Sequence, residues 1–180
     1  MVKRNGLLAF HAIGILAFAT GCFDGTNPVA AGDTASDAAK CITPQDEERL
    51  TDQVLQLVNL ERAAEDLPPV VSNPILSKIA DDYACQMIEE QFFGHHDPIT
   101  DQGPGDRALL GKYSFAAIGE NLAAGQETPA EVVKVWMESP AHQAIMMDPK
   151  WTEIGIGVQF GGEYATYWVL EFGRPAGAGL

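Results

Sequence analysis

The stretch Ile154-Gly155-Ile156-Gly157-Val158 constrains the fold more than any other part of the chain. Side chains of a strand alternate between its two faces. Ile154, Ile156, Val158 and Phe160 therefore share one apolar face, and Gly155 and Gly157 leave the other bare. A bare glycine face in a strand marks the close approach of another backbone. The stretch calls for a sheet packed through large side chains on one side and approached closely on the other. A turn at "GGE" (161–163) leads into the more uniformly apolar run Ala165–Phe172, and the two strands form an antiparallel hairpin. A short extended piece near "GENLA" (119–123) adds to the sheet.

Ahead of the hairpin the pattern is helical. One device recurs, a capping residue followed by Pro at the first helical position. It stands at Thr43-Pro44, Asn73-Pro74, Thr128-Pro129 and Ser139-Pro140. Leu50, Val54, Leu57 and Val58 follow the first start at helical spacing, and Leu76, Ile79, Ala80, Tyr83, Ala84 and Met87 follow the second. After the third, Glu131 completes a capping box, and Val132, Val135 and Trp136 form the apolar face. "DLPP" (66–69) and "DQGPGD" (101–106) read as breakers. Helices followed by strands point to an α+β domain with helices packed on a sheet. The three tryptophans, Trp136, Trp151 and Trp168, read as core.

The first residues carry an address. Lys3 and Arg4 precede an apolar run over 6–19 that is too short to span a membrane. The run ends in "FATGC", which resembles a bacterial lipoprotein signal with Cys22 as the lipidated residue. An ordinary secretory signal with an incidental Cys22 is the alternative. The expected organisation is a signal over 1–21, a flexible tether over 22–42, one domain over 43–175 and a tail over 176–180. The net charge of −14 repels phosphate and anionic lipid heads, which excludes nucleic acid and leaves a lipid anchor as the membrane contact. In an exported chain Cys41 and Cys85 can pair. A buried free thiol at Cys85 is the alternative.

Beyond the signal the histidines are His95, His96 and His142. No zinc-protease, nucleophile-elbow, P-loop or dinucleotide fingerprint accompanies them. Asp97, Asp101 and Asp106 lack calcium-loop spacing and read as solvated turn residues. Arg107 reads as a loop anchor paired with a carboxylate.

Three stretches, "FFGHHDP", "GENLAAG" and "VWMESPAHQAIMMDPKWTEIGIGV", followed by "YWVLEFG", resemble the CAP superfamily of cysteine-rich secretory, antigen 5 and pathogenesis-related proteins, above all its short exported bacterial members. The resemblance runs from about Asp46 to Gly173. It implies a three-layer α-β-α sandwich with a central antiparallel sheet and a cleft lined by His95, Glu120 and His142. His96 takes a variable, exposed place. The family's second cleft glutamate falls near Glu138 or Ser139. A last cleft histidine is missing, since Tyr167 to Leu170 occupy its stretch. Ala141, Gln143 and Ile145 replace the Gly, Arg and Asn common after the third helix in bacterial relatives.

Two imidazoles and a carboxylate are a donor set that zinc or another divalent ion accepts, with a place left for water. The same residues also form a hydrogen-bonded network in which Glu120 orients a histidine. Three functions are therefore expected to compete. The first is a monomeric surface binding module for a small molecule, lipid or protein. The second is a metal-dependent hydrolase or protease using His95, Glu120 and His142. The third is a structural envelope lipoprotein.

Overall fold

A computed structural model describes residues 40–177. The signal-like segment, Cys22 and nearly all of the tether lie outside the described residues. In chain order the elements are α1 (Glu47–Ala64), β1 (Val71–Ser72), α2 (Pro74–Glu89), α3 (Pro104–Leu110), β2 (Phe115–Ala124), α4 (Pro129–Glu138), α5 (Pro140–Met146), β3 (Glu153–Phe160) and β4 (Thr166–Pro175).

The four strands lie in the order β1-β3-β4-β2. The expected hairpin is β3–β4, antiparallel, with Ile156 opposite Leu170. β2 adds antiparallel to the other side of β4, with Glu120 opposite Glu171. The two-residue β1 pairs parallel to β3, which makes the sheet mixed.

The alternation in β3 works as its sequence implies. Ile154, Ile156 and Val158 join Trp168, Leu170 and Phe172 in a core with α1 and α4, where Trp136 and Trp151 are also buried. On the other face α2 presses directly onto the strand. A Cβ on Gly155 would stand 2.1 Å from the Leu76 carbonyl carbon, and one on Gly157 2.5 Å from that of Ala80. Leu76 and Ala80 are one helical turn apart, so two glycines receive one ridge of α2. Tyr83, Ala84, Met87 and Ile88 continue that second core against Leu122, Tyr167 and Val169. Helices thus cover both faces of the sheet.

Three helix features differ from the expected pattern. α1 begins at Glu47, with Asp46 as its cap rather than Thr43. Ile42 is held in a backbone bridge to Phe160, so the chain needs Thr43–Gln45 to turn before it can coil. "DQGPGD" starts a helix instead of only breaking one. Pro104 takes the first helical position, and the Asp106 carboxylate accepts from the Gly103 N–H at 3.0 Å. On α4 the buried valines are Val132 and Val133, and Val135 faces outward. The Asn73 and Thr128 caps form as expected, each side chain accepting from backbone amides of the first turn. Cys41 and Cys85 form a disulfide, with Cα atoms 5.1 Å apart, tying the start of the domain to α2.

Candidate functional site

The Gly119-Glu120-Asn121 triplet lies on β2, where neighbours point to opposite faces. Gly119 makes room for a ring, since a Cβ there would meet Trp151 Cζ2 at 2.7 Å. Asn121 reaches the α5 side and donates from Nδ2 to the His142 carbonyl at 3.0 Å. Glu120 reaches the α2–α3 side, and its Oε1 lies 2.7 Å from His95 Nδ1. Its Oε2 accepts from an Arg107 Nη. One short motif therefore holds elements of both helical layers to the edge of the sheet.

Arg107 comes from α3, the helix hidden in the apparent breaker. Its guanidinium donates to the His95 and Gln102 carbonyls, both at 3.1 Å. Its Cζ sits 3.3 Å from the centroid of the Tyr83 ring, a stacked cation–π contact. The Tyr83 hydroxyl donates to the Gly94 carbonyl at 2.5 Å. Burial pushes the Tyr83 hydroxyl up to about 12, so it stays a donor. The loop carrying His95 is thus clamped from α2, α3 and β2.

Glu171 was not foreseen as part of this network. It stands opposite Glu120 in the β2–β4 register and is 1% exposed. Arg107 approaches it only to 3.9 Å. Burial, then the neighbouring Glu120 charge, pushes the Glu171 carboxyl well above its usual range. Its surroundings therefore favour the protonated form of Glu171 beside the Arg107–Glu120 ion pair. Of the two places named for the family's second glutamate, Glu138 is exposed on α4 and faces Lys134.

His142 projects from α5. Burial, and then the charge of His95, holds its imidazole below the ordinary histidine value, so it is neutral at physiological pH. Its Nδ1 is buried without a hydrogen-bond partner among the described residues. Among those residues no three His, Cys, Asp or Glu side chains form a metal-binding group.

His96 is exposed, with its Nδ1 3.1 Å from the Asp101 carbonyl. Asp97 departs from the solvated-turn reading. It is 5% exposed, and its Oδ1 accepts from the Ile99 and Thr100 amides at 2.7 and 2.6 Å. Its other oxygen accepts from Gln86 of α2. It is a turn residue turned inward to fix the histidine loop.

The profile of the cysteine-rich secretory protein (CAP) family matches residues 55–172. The chain belongs to that family. Protein YkwD of Bacillus subtilis (strain 168) is 36% identical over 120 residues, which are 67% of this chain and 45% of YkwD. The chain spans less than half the length of the curated relatives it matches. Among solved structures, an extracellular SCP-domain protein of Bacillus anthracis str. Ames is similar at TM-score 0.64 and 28% identity, over 74% of this chain and 44% of that one. An outer surface protein of Borrelia burgdorferi shares the fold at TM-score 0.66 and 22% identity, over 75% of this chain and 97% of that one.

The CAP domain carries a second titratable group, under its N-terminal segment. Gln159 donates from Nε2 to Glu47 Oε1 at 3.0 Å and to Asp81 Oδ1 at 3.4 Å. Burial, then the adjacent Glu47, pushes Asp81 up from 3.8 to about 7. A raised carboxyl stabilises the fold while protonated. That contribution is complete below pH 3.8 and is lost as pH climbs through about 7. Asp81→Asn keeps a donor toward Glu47 without the charge. It is expected to flatten the decline in stability between about pH 4 and 8, gaining about 1–2 kcal/mol at pH 8 after allowance for partial exposure. Urea denaturation across that range checks this, and an unchanged pH profile would refute the assignment.

Proposed function

We propose that this CAP domain is an exported, monomeric binding module held at the cell surface, and that it is not a hydrolase. Export is supported by the signal-like first residues and by its extracellular relative, with Cys22 as the lipid-bearing residue. The observation that carries the non-hydrolytic reading is the enclosure of Glu120. Its side chain is 1% exposed, with one oxygen on His95 and the other on Arg107. A carboxylate so placed orients an imidazole and anchors a loop, whereas a general base must reach a substrate or water proton. The partner is a small molecule, lipid or protein met on the exposed side of the His95 loop. Incubation with a broad peptide library, with and without zinc, is expected to give no turnover. Zinc-dependent cleavage abolished by Glu120→Gln would overturn the reading.

A second reading, a site for zinc or another divalent ion, is favoured by the unpartnered His142 Nδ1. On this reading two imidazole nitrogens, one each from His95 and His142, would hold the ion, since no three such side chains gather among the described residues. His95 turns Nδ1 to Glu120, which leaves Nε2 as its ligating atom, and Glu120 takes the place of a carboxylate standing behind a ligating histidine. A bound ion would supply Lewis acidity. On this reading His95→Ala with His142→Ala removes the metal. Equal zinc content in variant and parent by elemental analysis would sink it.

A further inference from the structure

A pocket of about 270 Å³ opens beside the histidine loop and shares none of its lining residues with the His95–Glu120–Arg107 network. Its walls are aromatic. Phe93 meets Tyr164 at 5.9 Å and Tyr167 at 6.2 Å between ring centroids, and Tyr164 meets Tyr167 at 5.7 Å. All three pairs stand at 61–64° to one another, so the rings form a corner rather than a stack. Phe93 and Tyr164 are each 44% exposed, a large apolar display that their own packing does not consume. Glu163, exposed in the β3–β4 turn, completes the lining. Gly162 lets the corner close: it has φ +61°, and a Cβ there would come within 3.0 Å of the Tyr167 hydroxyl.

We propose that this aromatic corner binds an organic cation of the quaternary ammonium class. Ring faces attract cations electrostatically, and a group of N-methyls suits them because it carries little bound water. Glu163 supplies the counter-charge. The net charge of −14 favours a cation and repels an anion. A neutral apolar ligand would cover the rings but desolvate the Glu163 carboxylate without compensation.

The test compares choline with 3,3-dimethylbutan-1-ol, its uncharged isostere, by calorimetric titration of the full chain. Choline is expected to saturate and to bind about tenfold tighter than the alcohol. Phe93→Leu and Tyr164→Leu, which keep apolar bulk and remove the ring faces, are each expected to weaken choline binding about fivefold or more. Glu163→Gln should weaken choline and leave the alcohol unchanged. Vesicles of phosphatidylcholine, set against phosphatidylglycerol, then separate a lipid headgroup from a free small molecule as the source. Phe93-dependent vesicle binding identifies the headgroup, and choline binding without it identifies the free cation. Equal affinity for choline and the alcohol overturns the proposal. So does a failure of choline to saturate, or choline binding indifferent to both ring substitutions.

Discussion

Arg107→Met is expected to cost the fold about 3–5 kcal/mol, because it strips the cation from an enclosed group of charges. The Arg107 side chain is 9% exposed, and those of Glu120 and Glu171 are each 1% exposed. Methionine preserves much of the apolar contact with Tyr83 but leaves two carboxyls facing each other across β2 and β4. It also frees the His95 and Gln102 carbonyls that Arg107 holds. For a domain of this size the melting temperature should fall by about 10–15 °C. The loss should be smaller in mild acid. Burial and the neighbouring Glu120 raise the Glu171 carboxyl in the fold, so its protonated form stabilises the fold at low pH and that support drains away as pH rises. Glu120→Gln and Glu171→Gln, added to Arg107→Met, should recover much of the loss, since no buried charge is left unpaired. Chemical denaturation of the series tests this. A cost under about 1 kcal/mol for Arg107→Met would mean the network is solvated and the site more open than described.

The same network marks where sequence reading ends. The layering is legible because side-chain size specifies it. Alternating glycines in β3 can serve only a helix that touches the backbone, and the buried face of α2 follows from the spacing of its apolar residues. The His95–Glu120 pair is legible only through the family motif, and Arg107 as a loop anchor through its residue type. Glu171 carries a signal of its own, a lone carboxylate inside the apolar run Tyr167–Phe172. Its meaning depends on register, however, and nothing local says that it lies opposite Glu120. α3 is obscured by its glycines and proline, which usually end helices. Here Pro104 at the first position and Asp106 on the Gly103 amide start one. β1 has two residues and no pattern to read. The inward turn of Asp97 depends on Gln86, which the chain brings from the preceding helix.

Removing the disulfide by Cys41→Ser with Cys85→Ser is expected to cost about 4 kcal/mol, close to the whole stability margin of many domains. The bridge spans a sequence separation of 44 and encloses all of α1, β1 and most of α2. Without it the unfolded chain regains the freedom of that long loop, and loop-closure entropy of this length is worth about that amount. In the folded state the bridge backs up contacts that exist without it. Ile42 still pairs with Phe160 through two backbone hydrogen bonds of 2.8 and 2.9 Å, and α2 still seats Leu76 and Ala80 on the two glycines. Cys85 lies between Tyr83 and Gln86, the two α2 residues that support the histidine loop, so a local role for the bridge would register there first. The entropic account requires otherwise. The melting temperature should fall steeply, while the His95 imidazole resonances of the folded variant, observed well below its melting point, keep their parental positions. Displaced His95 resonances with little change in stability would reverse the assignment and make the bridge a positioning device for the site.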